Sequence, residues 1–147
     1  MNQPTHVIIH CSDSAWGCAR EINKWHIQRG FTSIGYHFVI MNGNPEIGKH
    51  IEELNGAIEC GRAMTEIGAH CLGYNERSLG VCLVLKDKPT IEQLDALKYL
   101  LIDLCHQYGI PAENVLGHCE TDSGKSEGKT CPNFDVAPIR MYLGPRI

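Results

Sequence analysis

No run of five like charges occurs anywhere in the chain, and 13 Lys and Arg stand against 17 Asp and Glu for a net charge of −4. That balance gives no electrostatic footprint for nucleic acid or an anionic membrane. Long apolar runs are missing too: Val81 to Leu85 and Leu97 to Leu104 are too short or too interrupted for a span of ~18 residues, so a soluble chain without membrane insertion is expected. Met1 to His6 lacks a basic segment leading into an apolar run and a small-residue cleavage site, so synthesis is expected to end in a cytoplasm. None of the eight cysteines forms a C-x-x-C pair, which removes zinc-finger spacing. At about 5% of the chain they are too sparse for a disulfide scaffold and suit a reducing compartment. No G-x-S-x-G elbow accompanies Ser12-Asp13-Ser14, so a serine hydrolase is not indicated. Repeats, low-complexity tracts and linkers are also absent, and 147 residues fit one domain around one core.

What is present alternates between two periodicities. Thr5 to His10 is predicted as a buried strand that stops at the polar His10-Cys11-Ser12. Ile22, Trp25 and Ile27 ahead of Gly30 predict an amphipathic helix over 20–29. Tyr36 to Met41 and Gly56 to Cys60 read as strands on either side of a polar excursion. The unbroken apolar stretch within 78–85 fits a central strand buried on both faces. Thr90 with Gln93 forms a capping-box pattern for a long helix ending at Gly109 and Pro111. A short strand over 114–117 leads to His118, a loop is expected over 120–130, and a last helix over 135–143 takes Asp135 as its cap. The class is α/β: a single domain with a central mixed β-sheet flanked by helices.

Three candidate metal ligands fall where predicted elements end: His10, His118 and Cys131. Two imidazoles and a thiolate would leave one tetrahedral position of a catalytic zinc open for water. With eight His and eight Cys in the chain, accidental triplets are numerous, and scattered surface His with core Cys accounts for the same spacing.

The segments Ile8-Ile9-His10-Cys11-Ser12, Ile34-Gly35-Tyr36-His37-Phe38, Gly61-Arg62, Gly68-Ala69-His70, Gly73-Tyr74-Asn75, Ser78-Leu79-Gly80-Val81-Cys82 and Lys129-Thr130-Cys131-Pro132 together resemble the phage lysozyme-type N-acetylmuramoyl-L-alanine amidases. These belong to the wider peptidoglycan recognition protein superfamily. The resemblance runs in order along nearly the whole chain, with Arg20-Glu21-Ile22 and Trp25-His26 also falling in place. It implies an amidase domain over 1–147, with one Zn2+ in a surface groove held by His10, His118 and Cys131, and Tyr36 and Lys129 assisting catalysis. A zinc ion lowers the pKa of its water towards ~7 and polarises the scissile carbonyl. Lys129 would then stabilise the oxyanion, and the Tyr36 phenol would relay a proton. His70, Tyr74, Asn75 and Arg62 match regions that line the substrate groove, so substrate contact is expected of them. Departures lie at 43–54, which reads as an insertion, and in the loop between His118 and Cys131, where Lys125 and Asp122 rival Lys129 or a ligand.

Other candidates are assigned elsewhere. Strand alternation turns Cys11 and Cys119 towards the core and takes His37 out of a site that Tyr36 enters. His26 and His106 are expected to be structural or solvent-facing, while His6 and His50 carry no signal. The implied enzyme cleaves the bond between N-acetylmuramic acid and L-alanine, as a phage or prophage endolysin. It is expected to be monomeric, made in the host cytoplasm, and to act on the wall in the periplasm once the inner membrane is permeabilised. A non-catalytic peptidoglycan-binding module, a cytosolic muropeptide-recycling amidase and a structural zinc protein are the competing readings.

Overall fold

In a computed structural model, residues 1–144 are described, so the last three positions of the expected 1–147 domain lie outside the described residues. Five strands form one sheet: β1 (His6–Cys11), β2 (Phe38–Asn42), β3 (Asn55–Cys60), β4 (Ser78–Leu83) and β5 (Val115–Gly117). Their order is β3-β2-β4-β1-β5. β1 pairs in parallel with β4 and β5, β2 pairs in parallel with β4, and only β3 is antiparallel, against β2. The sheet is therefore mixed, as the alternation of elements predicts.

Helices cover both faces. α1 (Ala19–Gln28) lies on one side, where Ile22 packs with Val39, Cys82 and Val84. α2 (Ile91–Tyr108) lies on the other, where Leu97, Leu101 and Leu104 meet Val7, Ile9, Leu79, Val81 and Leu83. Alternation along β1 and β4 divides them cleanly: the odd-numbered apolar residues face α2, while His10, Ser78, Gly80 and Cys82 face the α1 side. The run within 78–85 is buried throughout, as expected of a strand covered on both faces.

The capping box opens α2 as predicted, with Gln93 N–H donating to Thr90 Oγ1 and Thr90 N–H donating to Gln93 Oε1. Gln93 does more than cap. Its Nε2 donates to Ile40 O at 3.0 Å and Val84 O at 2.8 Å, tying the helix start to the ends of β2 and β4. α1 has no cap of its own, and Glu59 Oε1 from β3 accepts the Ala19 N–H instead.

The 120–130 segment is not simply a loop. It contains α3 (Asp122–Ser126), opened by Thr121, whose Oγ1 accepts from Gly124 N–H. Its Ser, Gly, Lys and Asp composition favours turns, and one side-chain cap with tertiary bonds overrides that preference. The last helix is shorter than expected, α4 (Ala137–Tyr142), although Asp135 Oδ1 does accept the Ala137 N–H.

Gln93→Ala takes a side-chain donor from two buried carbonyls, of which Ile40 O keeps the Val84 N–H, and removes half of the capping box. The expected loss is about 2–4 kcal/mol of stability, measured by urea unfolding, with Glu92→Ala at an exposed neighbouring position changing stability little.

Candidate functional site

Parallel pairing of β1 with β5 sends both chains out at the same sheet edge. His10 sits at the end of β1 and His118 directly follows β5, so two residues far apart in sequence meet with their rings 4.7 Å apart. Cys131 is brought alongside by bonds on both sides: Cys119 N–H donates to Cys131 O at 2.9 Å and Cys11 N–H donates to Cys131 Sγ at 3.0 Å. The ligand atoms of His10, His118 and Cys131 all lie within 4.8 Å of one another.

This cluster forms the floor of a cleft of about 700 Å³. Tyr36, His70, Asn75 and Lys129 also line it, whereas Lys125 and Asp122 do not. Tyr36 stands 5.0 Å from the His10 ring. Burial, together with the sulfurs of Cys82, Cys131 and Cys11, pushes its phenol well above the ordinary range, so the hydroxyl keeps its proton. Lys129 is exposed at the cleft mouth, 3.7 Å from Glu127, and its charge adds to burial in lowering His118. Burial lowers His10 strongly, and the His70, His118 and His26 rings add to it. The Cys131 thiol is pushed up by the hydrogen bond it shares with the Cys11 sulfur and by burial. These groups hold lone pairs rather than charges.

The donor set suits zinc: two imidazole nitrogens and a thiolate, held by different elements. Tetrahedral bonds of zinc length need ligand atoms about 3.3–3.7 Å apart, a small closure from the spacing found. Cys11 is buried in the α2-side core and Cys119 donates its backbone N–H to Cys131, so neither joins the ligand cluster. His37 is buried behind the cleft. Its Nδ1 accepts from Gly80 N–H and its Nε2–H donates to Glu66 O.

Two residues expected at the substrate lie outside the cleft lining. Arg62 donates to Ile34 O, Ile67 O and Ser33 O and is outside the cleft lining. Tyr74 packs edge-on to His6 and under Arg77, also outside it. Asn75 lines the cleft, and its Oδ1 accepts from the backbones of His70 and Cys71. Arg29 and Phe31, just beyond α1, join the cleft wall without any motif that announces them. His26 is a structural residue, as expected, and reaches the cleft as well: its Nδ1 accepts from Gly35 N–H beside Tyr36.

The N-acetylmuramoyl-L-alanine amidase family model matches residues 1–134. The chain belongs to that family. An endolysin of Klebsiella phage KP32 is 32% identical over 145 residues, spanning 91% of this chain and 83% of its own. Among solved structures, the amidase LysC from Clostridium intestinale superposes with a TM-score of 0.80 at 25% identity, covering 97% of this chain and 86% of its own. Drosophila PGRP-LB superposes at 0.63 and 28% identity, covering 92% and 85%. The chain is thus a type 2 amidase of the peptidoglycan recognition protein superfamily.

Burial, with Arg29 and Arg62 nearby, lowers His26 to about 4. Between pH 6.5 and 5 the unfolded chain therefore takes up a proton at this ring that the folded chain does not, so stability falls as the pH falls. In chelator, the share of this ring in the fall of melting temperature should be about 2–4 °C per pH unit across that window. His26→Asn, whose Oδ1 can take the Gly35 N–H, should lessen the slope by that share, while the other imidazoles lowered by burial, His10, His37, His70 and His118, keep the rest.

Proposed function

We propose that the protein is a zinc-dependent endolysin that hydrolyses the amide between N-acetylmuramic acid and L-alanine in bacterial peptidoglycan. The convergence of His10, His118 and Cys131 at the floor of an open cleft is the observation that carries this reading. Membership of the amidase family and the phage endolysin relatives support it. His10, His118 and Cys131 would hold the ion, which when bound supplies Lewis acidity to a water and to the scissile carbonyl.

The chain's own groups do the rest. Lys129 lies in the cleft wall close enough to His118 to lower it, and its ammonium stabilises negative charge that develops on the carbonyl oxygen. Tyr36 keeps its proton and stands beside His10, so its hydroxyl can pass that proton to the leaving amine and take back the one that the attacking water gives up. The open cleft admits a polymer strand, and Asn75 shapes its wall by fixing the backbone of 70–71.

The domain is read as spanning 1–147 and acting as a monomer on the wall. Synthesis in the host cytoplasm, with access to the periplasm once the inner membrane is opened, follows the endolysin reading. Among the described residues no helix is long and apolar enough to cross a membrane. A binding-only module is disfavoured because the three ligands and both assisting groups are all present.

Digested sacculi should show free L-alanine amino termini on stem peptides by mass spectrometry, and their absence would overturn the reading. The protein should bind one zinc and lose activity reversibly in chelator, and Cys131→Ala should lose both zinc and activity. Tyr36→Phe and Lys129→Ala should retain zinc while turnover falls by about 10²-fold or more.

A further inference from the structure

His70 was expected at the substrate, yet both of its ring nitrogens are engaged within the protein. Its Nδ1 is 2.9 Å from His10 Nε2, and its Nε2 is 3.3 Å from Ser78 Oγ. Ser78 is fully buried, and its hydroxyl donates to Tyr74 O at 2.7 Å. The direction of the chain follows from that last bond. A carbonyl can only accept, so the Ser78 proton is spent on Tyr74 O and Ser78 Oγ is an acceptor for His70. His70 therefore carries its hydrogen on Nε2, and its Nδ1 presents a lone pair. Across the 2.9 Å contact His10 must then be the donor, through Nε2–H. A neutral imidazole has one N–H, so the lone pair of His10 lies on Nδ1.

The site holds this arrangement in place. The His70 ring lies over β4 where the strand has no side chain: a Cβ on Gly80 would sit 2.8 Å from ring atoms, and one on Gly68 would sit 2.7 Å from His70 Cδ2. Asn75 Oδ1 anchors the His70 backbone at 2.8 Å. His37 stands edge-on behind it, with ring centroids 5.9 Å apart. Gly68, His70, Asn75, Ser78 and Gly80 thus build one seat for one ring.

We propose that His70 is a positioning residue that fixes the tautomer and orientation of His10, so that Nδ1 of His10 is the atom presented to the metal. This rests on the zinc reading above for its consequence, but not for its geometry. An imidazole that binds a metal through one nitrogen is held by what its other nitrogen donates to, and losing that partner typically costs about 10–100-fold in metal affinity. Here the partner is a second imidazole, itself oriented by Ser78, where a carboxylate or carbonyl is the common choice.

The test compares His70→Asn with His70→Leu. The two replacements share a shape, but only Asn offers an acceptor, with Oδ1 in place of Nδ1. Zinc affinity, read by competition with a chromogenic chelator, should fall about 10–100-fold in His70→Leu and stay within a few-fold of wild type in His70→Asn. Long-range ¹H–¹⁵N spectra of the metal-free protein should show His10 as the Nε2–H tautomer in wild type and His70→Asn, and as a mixture in His70→Leu. Equal zinc affinity in His70→Leu and wild type, at matched melting temperature, overturns the proposal, as does equal weakening by both variants. Should the variants fail to fold, the wild-type spectrum decides, because an Nδ1–H tautomer at His10 overturns it and an Nε2–H tautomer supports it. A wild-type protein that binds no zinc would remove the zinc reading, while the metal-free spectrum would still decide this one.

Discussion

The parallel pairing of β1 with strands on both sides is the constraint from which the site follows. β1 is buried on both faces and bonded to β4 and β5 in register, so its end has almost no freedom. Parallel neighbours leave the sheet at the same edge and need long crossovers to return, which α2 supplies between β4 and β5. His10 and His118 are therefore juxtaposed by topology rather than by any local sequence preference. The cleft opens where loops leave the carboxyl ends of parallel strands, the usual location of sites in α/β sheets.

Burial at that edge keeps the ligand-type side chains neutral. Burial lowers the imidazoles of His10, His70 and His118 and raises the thiol of Cys131, so the cluster resists both protonation and an uncompensated thiolate. Burial is the largest cause for each ring, with the neighbouring imidazoles adding to it at His10 and His70 and the Lys129 charge at His118. Under the zinc reading, a divalent cation would compensate the thiolate and engage both imidazoles at once, linking ligand chemistry to folding energy. Cys11 N–H, pointing at Cys131 Sγ, supplies the backbone donor that a thiolate accepts.

Much of this was legible in the sequence, and for identifiable reasons. The capping box at Thr90 and Gln93, the apolar run within 78–85 and the glycine after α1 are local signals whose physics does not depend on distant residues. The ligand triplet was visible as residue types at element ends, although spacing alone could not separate it from accidental triplets. Three features escaped because their causes are tertiary. The resemblance places Arg62 at the substrate groove, whereas its guanidinium donates to the carbonyls of Ser33, Ile34 and Ile67. The 122–126 segment has turn-forming composition, yet Thr121 caps it into a helix. His70 stands in a Gly-rich segment that suggests a binding loop, and only the register of β4 reveals that Gly80 and Ser78 lie beneath its ring.

The two walls of the cleft are also joined to each other, which bears on how it can move. Ser123 Oγ donates to Leu72 O at 2.9 Å, and Cys71 Sγ donates to Thr121 Oγ1 at 3.5 Å. These bonds tie the segment that carries Lys129 and Cys131 to the segment that carries His70. Within one wall, Lys129 N–H donates to Gly124 O, and Asn133 Nδ2 reaches Lys86 O after β4. The enlarged 119–130 segment is thus braced at several points, and a free lid would lack such bonds. What stays mobile at the mouth is side-chain length: Lys129 and Glu127 are about half exposed and only loosely paired. In the proposed mechanism, an ammonium on a flexible stem would follow charge onto a carbonyl oxygen while the proposed ligands below it hold still. The fold separates a rigid floor, which a metal site requires, from an adjustable rim, which a polymeric substrate requires.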